Sequence, residues 1–186
     1  MDYSYHCQNT AGSVLPPQII FAGKKHQLQR YTGVPKDYRV SISQNGWTNN
    51  DLGFEWLQKM SERQYASQTA GQYRLLILEG YSSHATTSFN HFCTTRKIIP
   101  LYIPPHSSHL LQPLSISCFA PLKHFYGQKV REMTQNGIYT MDKSKSLSSY
   151  TNINSRAFSK PNIMSGFAVA GLVPFKPERV LLKLYI

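Results

Sequence analysis

The chain is 186 residues long and 41% hydrophobic, enough for one domain with a real core, which excludes a disordered class. Its 20 Lys and Arg against 9 Asp and Glu leave a net charge of +11, which favours a polyanionic partner, nucleic acid being the commonest. The three scattered cysteines, Cys7, Cys93 and Cys118, imply no disulfide framework and suit a reducing compartment. No apolar run approaches the roughly 18 residues of a membrane span. The opening Met1-Asp2-Tyr3-Ser4 lacks the basic and apolar regions of a secretory signal, so the expectation is an intracellular protein with no membrane partner.

Residues 3–9 alternate loosely and lead into the turn Thr10-Ala11-Gly12-Ser13, and the apolar run 18–22 follows. Together they read as a hairpin, with Pro16 and Pro17 confining the second strand's start to an edge or first position. Lys24-Lys25-His26 opens a polar loop to Pro35, residues 38–43 alternate as a further strand, and Asn45-Gly46 is a turn. A helix over about 51–64, capped by Asn49 or Asn50, buries Leu52, Trp56 and Met60 with Phe54 and Leu57 beside them. Residues 75–78 form the most apolar strand, without alternation, so both its faces are expected to be covered.

Next come a helix over roughly 87–96 and a second buried strand over 98–103, stopped by Pro104-Pro105. That succession predicts a βαβ unit with a parallel pair. A helix over about 120–133 takes Pro121 in its first turn, presents Leu122, Phe125, Tyr126, Val130 and Met133 as its apolar face, and ends at Asn136-Gly137. Residues 142–160, rich in Ser, Lys and Asn, read as a linker or weakly ordered segment before a last apolar piece over 167–184.

Six segments carry a resemblance: VLPPQIIFAGK, SISQNGWTNNDLGFEWLQ, LLILEGYSSH, IPPHSSHLLQPL, FAPLKHFYG and GFAVAGLVPFKPERVL. They are similar, in the same order, to blocks of the pogo, Tigger and Jerky transposases, whose DDE-type domain is also found in centromere protein B. The run PPHSSHLLQPL, Pro104 to Leu114, is the most specific of them. The resemblance implies an α/β fold with an RNase H-like mixed sheet and flanking helices. It also implies two Mg²⁺ ions among three carboxylates, one activating water or a 3′ hydroxyl and the other stabilising the leaving oxygen.

In that family the strand of the LLILEG block ends in an Asp, and another Asp follows LLQPL. Here those positions hold Glu79 and Ser115. A Glu reaches one methylene farther, which displaces a metal by roughly 1–1.5 Å, and a Ser brings no charge. The family's first Asp lies on a strand upstream of the block that begins near Tyr3, and no such segment is seen. The expected domain is therefore truncated at its N-terminus and lacks its central first strand. Two half-sheets would then share no ladder, and their open edges would be an aggregation hazard. The division expected is 1–135 for the partial catalytic domain, 136–160 for the linker and 161–186 for a family tail.

The expected function is a catalytically inactive transposase remnant that binds DNA in the nucleus, weakly, salt-sensitively and without sequence preference. Mg²⁺ is the family cofactor, none is expected here, and Glu79 is a weak metal candidate. Lys24, Lys25, Lys123, His124, Lys129 and Arg131 are candidates for a phosphate-facing groove, or else scattered solubilising charge. His84, His106 and His109 match family histidines and either serve in the active site or on the DNA backbone, or hold the turns at the strand ends. With Cys93 they also make a loosely spaced zinc reading. Self-association, or pairing with a full-length relative, is a further expectation. The alternatives are a protein-interaction module on the same scaffold, or an endonuclease with an altered acid set in which Glu79 works with Asp2 or a partner's acid.

Overall fold

A computed structural model of the chain describes residues 3–24, 35–62, 65, 71–79, 86–140 and 143–184. Strand β1 (Tyr3–Tyr5) runs antiparallel to β2 (Gln18–Ala22), with Tyr3 opposite Ile20 and Tyr5 opposite Gln18. A bridge from Gln8 to Val14 carries this hairpin toward its turn, where Asn9 Oδ1 accepts from the Ala11 and Ser13 amides and Gly12 takes a φ of 83°. Pro17 stands just before β2, so its missing N–H costs the ladder nothing. Strand β3 (Arg39–Ser43) pairs with β2 in parallel, which makes β2 the middle of a three-stranded sheet.

Helix α1 (Asn50–Trp56) is capped by Asn49, whose Oδ1 accepts from the Leu52 amide at 2.9 Å. The expected single helix to residue 64 changes type partway, becoming a π-helical turn over Leu57–Glu62. The wider turn begins where two consecutive side chains, Trp56 and Leu57, are both buried.

Strand β4 (Arg74–Glu79), helix α2 (Thr87–Thr95) and strand β5 (Ile98–Ile103) form the expected βαβ unit, with Arg74 opposite Ile98 and Glu79 opposite Ile103. Thr86 caps α2 by accepting from the Phe89 amide. Only one face of this two-stranded sheet is well covered among the described residues. Leu76, Leu78, Ile98 and Tyr102 pack toward Phe89 and Cys93, whereas Leu75 is 59% exposed, Ile99 51% and Leu101 47%. The expectation of two covered faces is corrected: α2 crosses on one side, and the other side stays open at these three residues. Pro100 sits within β5, opposite Leu76.

Among the described residues no ladder joins the two sheets. They share a core instead, since Tyr5 and Ile20 pack with Leu78 and Ile98 around Trp56, Leu57, Phe89 and Cys93. Tyr5 and Trp56 stack with ring centroids 5.4 Å apart.

The second half is helical: α3 (Ser108–Leu111), α4 (Pro113–Ser117), α5 (Phe119–Gln135), α6 (Lys143–Ala157), α7 (Lys160–Val169) and α8 (Glu178–Leu181), the last continuing as a 3₁₀ turn over Leu182–Leu184. Pro121 does fall in the first turn of α5, and Gly137, with a φ of 75°, follows its end. Val130 is exposed, however, because it lies at the margin of the stripe made by Leu122, Phe125 and Met133.

Helix α6 replaces the expected weakly ordered segment. Its Leu147, Tyr150, Ile153 and Ala157 recur every three or four residues and are all buried, Leu147 and Tyr150 against Ile19 and Phe21 of β2. Next to β1, His6 stacks on Phe158 with centroids 4.2 Å apart, and its Nε2 shares hydrogen bonds with the Tyr150 hydroxyl at 2.9 Å and the Ser4 hydroxyl at 3.0 Å. Burial pushes this imidazole's pKa down to about 3. The whole is a mixed α/β architecture of small sheets flanked by helices, in keeping with an RNase H-like fold.

Candidate functional site

Glu79 is the last residue of β4 and lies opposite Ile103, the last of β5, at the carboxyl end of the parallel pair. That end is where parallel sheets place their ligand sites. The chain then turns through Pro104 and Pro105 to His106, whose φ is 63°. Ser107 closes this turn by donating from Oγ to the Pro104 carbonyl at 2.6 Å. Thus a serine, and not an imidazole, holds the turn, while His106 and His109 are exposed. His84 lies outside the described residues, as do Lys25 and Asp2.

Ser115 is half-buried on α4, and its hydroxyl donates to Gln112 Oε1. Helix α7 backs α4 closely at Gly166, where an added Cβ would fall 2.5 Å from the Pro113 carbonyl oxygen and from Ser117 Oγ. The two positions thus carry one carboxylate, at the end of β4, and one hydroxyl, on α4. No group of three His, Cys, Asp or Glu able to hold a metal is present among the described residues. Mg²⁺ requires near-octahedral oxygen ligation with several carboxylate or phosphate oxygens, so the described donor set does not fit it. The zinc reading fails for a different reason: Cys93 is wholly buried on α2, whereas His106 and His109 face solvent.

The basic candidates divide by helical geometry. On α5, Lys123, His124 and Arg131 are exposed, and at 100° per residue they fall on one face together with Gln128 and Gln135. Lys123 and Arg131 are eight residues apart, roughly 12 Å along the axis. Lys129 is elsewhere, amid the apolar stripe of Leu122, Phe125 and Met133, with its Nζ donating to Glu132 at 3.1 Å. Lys24 is exposed just past β2, on a different element.

Three basic residues outside the expected set are also engaged. The Arg156 guanidinium lies 4.0 Å from the Phe125 ring centroid. Arg39 donates to Glu55, which also accepts from Lys59 at 2.8 Å. Burial pushes the Glu55 carboxyl up, but Lys59 and Arg39 outweigh it and hold the pKa below its ordinary value. Glu55 is therefore a half-buried ion-pair centre. Sequence spacing alone cannot show this pairing, since Arg39 comes from β3.

The sequence pattern of the DDE superfamily endonuclease family matches residues 4–167. A protein named MFS-type transporter clz9, from Cochliobolus lunatus, is 40% identical over 177 residues, which is 95% of this chain and 19% of that protein. Proteins named Pogo transposable element with KRAB domain, from Homo sapiens and Mus musculus, are each 28% identical over 111 residues, 60% of this chain and 18% of theirs. The chain thus spans about a fifth of the length of the curated relatives it matches. No solved structure matches it. The word transporter belongs to the fungal protein's name. In this chain no described helix is long and apolar enough to cross a membrane. The family match runs from β1 into α7 and the pogo relatives cover more than half the chain, so the chain belongs to the DDE superfamily endonucleases as a pogo-type domain.

Proposed function

We propose that this domain binds DNA through its positive surface and does not cut it. The observation that carries the binding is the exposed face of α5, where Lys123, His124 and Arg131 stand clear of any acidic residue on that face. A cationic helix face on a chain of net charge +11 tracks phosphates without reading bases. The loss of cutting is supported by Ser115, which cannot replace a carboxylate as a hard-metal ligand, and by the extra methylene of Glu79. A nuclear location follows from this reading, as does pairing with longer relatives that share the domain.

The test is fluorescence anisotropy with duplexes of unrelated sequence. With about four phosphate contacts, affinity falls roughly 100-fold between 50 and 200 mM salt, equally for every sequence. K123A/R131A should lower the salt slope by about two units. Affinity that is indifferent to salt, or to this double variant, would overturn the binding assignment. Supercoiled plasmid incubated with the domain and Mg²⁺ is expected to stay intact. Nicking abolished by Glu79→Ala would show that the altered acid set is active.

A further inference from the structure

We propose that Arg156, laid over Phe125, is a preformed phosphate clamp that carries the nucleic-acid track of α5 onto α6. The inference rests on reading the exposed side of α5 as the DNA-binding face, and it adds a residue of a second helix to that face. Helix α6 packs along α5, where Leu122 and Phe125 join the cluster of Ala157 and Phe158. At this seam the Arg156 guanidinium lies over the Phe125 ring, 4.0 Å from its centroid. The His124 ring meets the same phenyl ring in a T-shaped contact, with centroids 5.7 Å apart. Phe125 therefore stands between a residue of the α5 face and one of α6, and joins the two polar surfaces.

Three observations make Arg156 a phosphate ligand and not only a staple between two helices. First, its donors are open. Arg39 donates to Glu55, Arg74 to the Arg96 carbonyl and Arg179 to the Ala168 carbonyl, whereas the exposed Arg156 donates to no group among the described residues. A guanidinium over a ring keeps the fork of donors at its edge, which matches the oxygens of a phosphate in pairs. Second, the ring contact restrains a side chain that is otherwise rich in rotamers, so less freedom is lost when a phosphate binds. Third, α6 brings no acidic side chain to the seam. Its sequence contains neither Asp nor Glu, and Ser148, Asn152 and Ser155 are exposed on the same side of the helix as Arg156 at 100° per residue. On α5, Glu132 is held by Lys129. Of the chain's 20 Lys and Arg, 12 follow Glu79, against 3 of the 9 Asp and Glu, so residues 80–186 carry +9 of the net +11.

The test is duplex anisotropy on the native chain, Arg156→Gln, Arg156→Lys and K123A/R131A. Arg156→Gln removes one phosphate contact and should lower the salt slope by about one unit. Its affinity deficit against the native chain then shrinks about 3.5-fold between 50 and 200 mM salt. Arg156→Lys keeps the charge and the slope but loses the fork, and should bind about threefold more weakly than the native chain. In NMR on the unmutated chain, the Arg156 Nε–Hε signal should move as duplex is added, which keeps the test decisive if a variant unfolds. A slope that falls in K123A/R131A but not in Arg156→Gln, or an Arg156 signal that stays still, overturns the clamp and leaves the α5 reading standing. Absence of salt-dependent binding by the native chain overturns both. Inorganic phosphate that moves the Arg156 signal as far as duplex does would make this a small-anion site, which also overturns the track.

Discussion

His6 concentrates several interactions of this chain in one side chain. It stacks on Phe158, shares hydrogen bonds with Tyr150 and Ser4, and keeps Nδ1 buried without a hydrogen-bond partner. Its folded pKa of about 3 lies below the unfolded value of 6.5, so the unfolded chain takes up the proton first. Its contribution to stability is complete above about pH 6.5 and is lost as pH falls toward 3, at up to about 1.4 kcal/mol per pH unit. Urea midpoints should fall with pH over that range in the native chain and more gently in His6→Gln. Equal slopes would mean that the imidazole titrates normally. Glu55 acts in the same direction, because its lowered pKa makes its ion pairs a stabilisation lost in acid. Comparing the native chain with the His6 variant removes that background. Glu79 and Ser115 were singled out from the sequence by their fixed place in a motif, which needs no knowledge of the fold. The environment of His6 was not, since Tyr150 of α6 and Phe158 just past that helix lie far along the chain.

At the scale of elements, close approach and capping give two further expectations. Gly166→Ala forces a methyl group to within 2.5 Å of the Pro113 carbonyl, so α7 must move off α4. The cost should be about 1–3 kcal/mol, read as a lower denaturation midpoint. Asn49→Ala removes the cap of α1 and should cost about 1 kcal/mol in the same assay, whereas Asn49→Ser should cost little. Local punctuation made α1, α2, α5 and the βαβ unit readable, because caps, prolines and glycines act on their immediate neighbours. Helix α6 was hidden by its composition. Ser, Asn and Lys fill its exposed positions, and the period lies in four residues, Leu147, Tyr150, Ile153 and Ala157. The strands β4 and β5 misled in the opposite sense, since an unbroken apolar run reports what a strand is suited to meet and not what meets it.

For the molecule as a whole, two sheets that share no ladder among the described residues depend on one core. The two tryptophans can test whether that core makes them a single unit. Trp47 is exposed, whereas Trp56 is buried at the centre of the shared cluster. The red shift of fluorescence on unfolding therefore reports Trp56. It should coincide with the loss of circular dichroism if the halves unfold together, and precede it if they part. Trp56→Ala should cost about 3–5 kcal/mol. This joint dependence was not legible in the sequence, because it arises from contacts between β1, β2, α1, α2, β4 and β5.

Pro100 bears on how such a domain could meet others of its kind. Among the described residues β5 pairs only with β4, and it tolerates a proline only where the missing N–H faces away from that partner, so its outer border lacks a donor there. Growth of this sheet by added strands is thereby made less favourable on that side. A strand arriving at that border would find no amide to accept from at the middle of β5, which disfavours edge-to-edge stacking there.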